Sequence, residues 1–395
     1  MSKVMSINAG SSSLKFQLFE MPEEKVLISG NVERIGFEDA YFTTKFNGEK
    51  NKKVLPIRNH GEAVNHLLKT LVELKVVKDL NEIKGVGHRV VQGGNLFSES
   101  TKVVEGTIER LSTISDLAPL HNPAAITGYE AFKAALPGAG HVLVFDTAFH
   151  SKMPEVSYMY ATPYEWYEKY AVRKYGAHGT SHEYVSQEAI KYLGLGKNSK
   201  VITCHIGNGA SISAVLDGKC LDTSMGFTPL AGVMMGTRTG DIDPAVVPYV
   251  MRKANMTAEE VLNAFNKKSG LLGISGVSSD SRDVEDAAKA GNKRAILAQE
   301  LQVRTIVRYV GAYYAELGGC DAIVFTAGLG ENNSALRASV CEQLSVMGIK
   351  LDAEANKVRG DFKVISSKDS KVSVLVIPTN EELVIARDTV RLLGL

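Results

Sequence analysis

The sequence predicts an α/β protein with at least partly parallel sheets, organised as two like-folded halves. Three observations carry that expectation. Short β-branched runs alternate with amphipathic helical segments, the pattern of strand–helix–strand units. A strand, a Gly/Ser turn and a second strand fill residues 4–19, and the same arrangement returns at 201–216. Gly10 aligns with Gly207 at an offset of 197, half of the 395-residue chain, which suggests duplication.

The elements follow in order. Residues 4–8 and 15–20 are β-rich runs around the first turn. In 61–75, Val64, Leu67, Leu68, Leu71 and Leu74 recur at helical spacing. Residues 86–91 predict a strand, and 122–136 a helix opened by Asn122-Pro123 and closed by Pro137-Gly138. Strands follow at 142–146, 201–205 and 211–216. A long amphipathic helix is expected over 295–317, then strands at 322–326 and 372–377. Glu381 and Glu382 suit the first turn of a final helix over 381–393, where acids complement the dipole.

Composition narrows the function. Lys+Arg total 45 against 44 Asp+Glu, which argues against a basic nucleic-acid grip and an acidic tail. With 44% hydrophobic and 23% charged residues, an ordinary soluble globular protein is expected. The N-terminus has no apolar signal region, and no unbroken apolar run reaches membrane-spanning length, so no membrane partner is expected. Cys204, Cys220, Cys320 and Cys341 form no CxxC pair or zinc pattern, which fits a reducing cytoplasm. No Walker loop, Rossmann fingerprint or protein-kinase signature is present.

The two Gly-rich hairpin turns suit phosphate. Glycine lets backbone approach a ligand, and successive N–H groups make an anion-binding nest. Ser11, Ser12 and Ser13 add hydroxyl donors and Lys15 a positive charge.

Nine stretches then resemble the acetate kinase (acetokinase) family in collinear order. They are NAGSSSLK at 8–15, GHRVV at 87–91, PLHNP at 119–123, VFDTAFH at 144–150 and YGAHGTSH at 175–182. The series continues with HIGNG at 205–209, MGTRTGDIDP at 235–244, AGLGEN at 327–332 and PTNEE at 378–382. The resemblance implies two duplicated actin-like (ribonuclease H-like) domains with an interdomain active-site cleft. It implies domains at 1–148 plus 383–395 and at 149–382, the second holding most nucleotide contacts. It implies reversible transfer of the ATP γ-phosphoryl group to acetate, giving acetyl phosphate and ADP, and a homodimer.

Such a reaction brings a carboxylate against a phosphate, so cations must offset the repulsion. Arg89 and Arg238 are the candidates, since guanidinium presents a rigid fork to either oxyanion. The resemblance adds His178 as a donor to the phosphoryl group in transit and Asp146 as the fourth catalytic residue, orienting Arg89 or supporting a metal shell. It implies acetate contacts at Arg89, Val91, Leu120, His121, Ala177 and Pro229. It implies nucleotide contacts at Lys15, His205, Ile206, Gly207, Asn208, Gly209, Asp280, Ser281, Arg282, Gly328, Leu329, Gly330, Glu331 and Asn332. Asp280 equally reads as a helix N-cap. Asn8 and Glu381 match the family's Mg²⁺ site, with Mn²⁺ a plausible substitute. His182 reads as a structural histidine, with no third ligand in view to make a metal pair with His178.

Ala177 stands where some relatives carry an aromatic residue, and Gln92 and Asn95 where many carry His and Glu. Val91 and the small Ala177 pull in opposite directions on pocket volume, which leaves propionate or butyrate open as alternative substrates. A non-catalytic actin-like nucleotide switch would need the phosphate hairpins but not Arg89, His178 and Arg238.

Overall fold

The computed structural model describes residues 1–119 and 121–395, so the expected pocket residue Leu120 lies outside the described residues. The chain forms two compact units, Met1–Ser151 with Asn380–Leu395, and Lys152–Thr379. These boundaries lie three residues from those expected at each crossing, so Glu381 and Glu382 fall in the first unit.

The first unit is built on an eight-stranded sheet. Its strands are β1 (Ser2–Gly10), β2 (Ser13–Met21), β3 (Lys25–Glu33), β4 (Tyr41–Phe46), β5 (Glu49–Val54), β6 (Ile83–Val90), β7 (Thr101–Lys102) and β8 (Gly140–Phe145). They lie in the order β5-β4-β3-β2-β1-β6-β8-β7. β1 to β5 form an antiparallel meander, whereas β1 with β6 and β6 with β8 run parallel.

The second unit has six strands: β9 (Lys200–Ile206), β10 (Ala210–Leu216), β11 (Lys219–Thr223), β12 (Ala322–Thr326), β13 (Lys363–Val364) and β14 (Ser373–Val376). Their order is β11-β10-β9-β12-β14-β13. β9 and β10 pair antiparallel, while β9 with β12 and β12 with β14 run parallel. Strand for strand this repeats β3-β2-β1-β6-β8-β7 of the first sheet. The expected duplication is therefore visible as topology, with β4 and β5 an extension of the first unit alone.

Burial explains which strands were legible. β9 and β12 are buried along almost their whole length and read as strand runs in which apolar residues predominate on both faces. β5, sequence EKNKKV, is exposed throughout and lies at the sheet edge, where lysines discourage edge-to-edge pairing. No apolar alternation marks it, and the sequence reading passes over it.

Helices fix the sheets in place. His60–Glu73 buries Val64, Leu67, Leu68 and Leu71 in the first core, with Asn59 capping its start. The C-terminal helix Glu381–Leu393 packs Ile385 against Val142 and Val144 of β8. It approaches β6 so closely that a Cβ on Gly87 would lie 2.3 Å from Thr389 Oγ1 and 2.5 Å from Ile385 Cγ2. Gly87 is thus a packing requirement. In the second unit, Lys293–Glu316 buries Val303, Ile306 and Val310 in a core shared with β9, β10 and β12.

Candidate active site

In the second unit, the turn between β9 and β10 presents Gly207, Asn208 and Gly209. Gly207 N donates to Gly209 O at 3.0 Å, closing the turn. A neighbouring loop is seated on it: Gly236 N donates to Asn208 O at 3.0 Å, and a Cβ on Gly236 would lie 1.8 Å from Asn208 Oδ1. Two residues further, Met235 N donates to Arg238 O and folds the loop back. That delivers the guanidinium to the turn.

Two polar groups converge there. From the position of a Cβ on Gly209, His178 Nε2 lies 3.4 Å away and Arg238 Nη1 3.8 Å. Arg238 is half-buried and hydrogen-bonds the Pro229 carbonyl at 3.0 Å. Among the described residues no carboxylate pairs with it, and burial pushes its pKa down. A desolvated guanidinium without a protein counter-ion is a ready site for an oxyanion. His178 adopts φ +58°, left-handed for a non-glycine residue, at the start of helix Gly179–Leu193. Backbone strain of this kind costs on the order of 1–3 kcal/mol and gathers at functional positions. The His178 ring stacks on His205, with centroids 4.1 Å apart.

A groove of about 640 Å³ opens from this turn. It gathers three segments far apart in sequence: Gly207 and Asn208, then Asp280, Ser281 and Arg282, then Gly328, Leu329 and Asn332. The third begins as a sharp strand-to-helix turn, with Ala327 at φ +64°. Gly330 and Glu331 lie in this turn's short helix, outside the groove lining. The Glu331 carboxylate accepts from Ala327 N at 2.7 Å and Thr379 N at 3.1 Å, so its side chain braces the turn. Asp280 caps helix Ser281–Lys289 by accepting from Arg282 N, and its carboxylate also pairs with the Arg282 side chain. Those bonds hold the Asp280 pKa down at about 2. Ile206 is buried as the last residue of β9, and Ala177 is buried just before His178.

The first unit assembles a second cluster at the C-terminal end of β6. Arg89 donates from Nε to Asp146 Oδ1 at 2.8 Å and from Nη2 to Asp146 Oδ2 at 2.7 Å. Asp146 is 1% exposed, so the fork is held from behind. Burial opposes the Arg89 charge, but Asp146, then Glu381 and Glu382, hold it charged and raise its pKa. Burial, aided by Glu381, raises the Glu382 pKa, while Lys15 and Arg89 pull it back. Asn8 lies opposite Lys15 in the β1–β2 ladder, and Ile7 opposite His88 in the β1–β6 ladder. One sheet end thus carries Asn8, Lys15, Arg89, Asp146, Glu381 and Glu382. Val91 follows β6, and His121 stands exposed at the start of helix Asn122–Ala135.

A model of the acetokinase family matches residues 3–387. An acetate kinase of Bacillus velezensis is 58% identical over 393 residues, 99% of this chain and 100% of that protein. The chain belongs to the acetokinase family. A crystal structure of Porphyromonas gingivalis acetate kinase superposes with a TM-score of 0.94 at 47% identity, covering 100% of both chains. A propionate kinase of Francisella tularensis does so with 0.94 at 41% identity, covering 99% of this chain and 100% of that one.

Sequence reasoning assigned no site role to several residues that shape this candidate site, His182 among them, which it read as structural. Asn122 is fully buried and clamps Gln92, accepting from its N–H at 3.2 Å and donating to its carbonyl at 2.8 Å. This fixes the chain just beyond Arg89. His182, Thr203 and Ser211 are each fully buried and hydrogen-bonded behind His178. The available signal was the i, i+4 spacing of His178 and His182 beside two apolar strands that carry inward hydroxyls.

Proposed function

We infer that the chain is an acetate kinase, moving a phosphoryl group reversibly between ATP and acetate. The observation that carries the mechanism is the convergence of His178 Nε2 and Arg238 Nη1 on Gly209, at the mouth of the groove that would take the nucleotide. Nucleotide phosphates rest on the Gly207–Gly209 turn, whose backbone admits them closely. Adenosine lies along the segments at 280–282 and 328–332. His178 and Arg238 donate to the equatorial oxygens of the phosphoryl group as charge spreads over them. Donors already in place cost no reorganisation at the moment of reaction.

Arg89 receives the acetate carboxylate. Asp146 occupies its Nε and Nη2, which holds the guanidinium plane and leaves Nη1 for substrate. Val91, just beyond Arg89 on the same unit, takes the methyl group. Asn8 and Glu381 offer hard oxygen donors of the type Mg²⁺ accepts, and among the described residues no cluster of three His, Cys, Asp or Glu side chains forms a closed cage. This sparse set suits an ion that keeps its waters and leans on substrate phosphates. Bound Mg²⁺ offsets the charge of the nucleotide's phosphates.

The same reading makes the protein a cytoplasmic homodimer. Val156, Tyr164, Trp166 and Tyr170 lie exposed on one stretch of the second unit, an apolar surface of the kind subunits cover. No described helix is long and apolar enough to cross a membrane.

Trapping acetyl phosphate as its hydroxamate from ATP and acetate tests the reaction. No acyl hydroxamate would end the reading. The small, buried Ala177 favours one second reading, a propionate kinase. One methylene is worth roughly 10–200-fold in discrimination. Comparing kcat/KM across acetate, propionate and butyrate decides between them, and a preference above about tenfold for propionate would reverse the assignment.

A further inference from the structure

Behind His178 runs a chain of short hydrogen bonds that the reaction does not touch. His178 Nδ1 lies 2.8 Å from Ser211 Oγ. Ser211 Oγ lies 2.7 Å from His182 Nε2, and His182 Nδ1 lies 2.7 Å from Thr203 Oγ1. Ser211, His182 and Thr203 are all 0% exposed, so water does not compete for these bonds.

The two hydroxyls carry one proton each, so the chain has two polarities. In the first, Thr203 O–H donates to His182 Nδ1, His182 Nε2–H donates to Ser211, and Ser211 O–H donates to His178 Nδ1. His178 is then neutral with its proton on Nε2. The second reverses every bond and leaves His178 Nε2 bare. It also turns the Thr203 proton away from His182, where the acceptor it meets is the Ser213 carbonyl at 3.5 Å. That is too long for a strong O–H···O bond, and stranding a buried donor is unfavourable.

We propose that His182 is a positioning residue which, through Ser211 and anchored by Thr203, holds His178 as the neutral Nε2–H tautomer. The nitrogen facing Gly209 then carries a proton ready to donate to the phosphoryl group, with no proton uptake needed. The second nitrogen of a histidine sets the role of the first. This inference rests on the reading of His178 as the phosphoryl donor.

The test is ¹⁵N NMR of histidine-labelled full-length protein near neutral pH. His178 and His182 should each show a protonated Nε2 and a bare Nδ1. A protonated Nδ1 with a bare Nε2 on His178, or an imidazolium in the ligand-free protein, overturns the proposal. Ser211→Ala should release the tautomer to a mixture and lower kcat about 10–100-fold with the KM for ATP little changed. Ser211→Thr, which keeps the hydroxyl, should recover most of the loss. An unchanged tautomer in Ser211→Ala overturns the proposal as well. If that variant does not fold, the wild-type spectrum still decides. His178→Ala separates the underlying reading: full activity there removes His178 from the mechanism, whatever its tautomer.

Discussion

Gly209→Ala adds one methyl group where the proposed phosphoryl site lies. Gly209 is outside the left-handed region, so alanine fits its backbone. The new carbon meets His178 Nε2 at 3.4 Å and Arg238 Nη1 at 3.8 Å, ordinary contacts that force nothing in the protein to move. Folding stability should therefore change by less than about 1 kcal/mol. Substrate is affected differently. An oxygen accepting from either nitrogen sits about 2.7–3.0 Å from it, whereas carbon and oxygen need about 3.3 Å. The phosphoryl oxygen is pushed off its donors by something on the order of 1 Å, a displacement worth about 100-fold in rate. Loss of one donor outright gives a similar figure, 10²–10³-fold or roughly 3–4 kcal/mol. The assay is initial-rate hydroxamate formation beside a urea melt of the same preparation. A stable variant within about threefold of the parent kcat, under 1 kcal/mol of barrier, would refute the convergence of His178 and Arg238 on that space.

Asp146→Asn removes the charge from a buried ion pair and sets an amide against Arg89; stability should fall by about 3–5 kcal/mol in urea titrations, with turnover reduced at least tenfold. Glu381→Gln should raise the Mg²⁺ concentration giving half-maximal rate by more than about tenfold, read from Mg²⁺ titrations, while leaving the melt nearly unchanged. The buried pair His88 and His141 should make the first unit acid-sensitive. Burial, with His141 alongside, pushes His88 well below its ordinary 6.5, and burial with Lys133 pushes His141 down to about 4. Between pH 6.5 and 4 the unfolded chain binds protons that the folded chain refuses, so stability falls as pH drops through this window and is level above it. His141 alone accounts for about 3 kcal/mol over the whole interval. Urea midpoints at pH 7 and 4.5 should differ accordingly, and the difference should shrink in a His88→Leu/His141→Leu double variant.

Much of the architecture is legible because its central strands are buried. The runs at 201–205 and 322–326 are buried on both faces and rich in β-branched residues, and both lie within the observed strands. The half-chain repeat survives in topology because tight turns constrain glycine more strongly than helices constrain their surfaces. β3 to β5 are harder to read: β3 mixes glycine and asparagine with apolar residues, and β5 is wholly polar. The site divides along similar lines. Arginines and histidines in Gly-rich turns announce themselves, as Arg238 and His178 do. Ser211 and Thr203 carry no such mark, since a hydroxyl in a strand reads the same whether it meets solvent or a ring nitrogen. Glu331 shows the converse: its carboxylate is engaged by backbone N–H groups, a local duty that a motif does not reveal, whereas the capping bond of Asp280 is the one its sequence position suggests.

The glycine-lined face of β6 has a consequence for biogenesis. It is covered by residues 380–395, which are synthesised only after the whole of Lys152–Thr379, while the rest of the first unit is made before that segment. Nascent β6 and β8 must therefore wait, with one apolar face bare, while all of Lys152–Thr379 is translated. Such long-range closure slows folding and leaves sheet surface open to aggregation. The half of the chain that emerges first is thus the half that matures last. A stop codon ahead of helix Glu381–Leu393 would leave the nascent sheet of the first unit without its cover, so the sheet depends on chaperones until that helix is made.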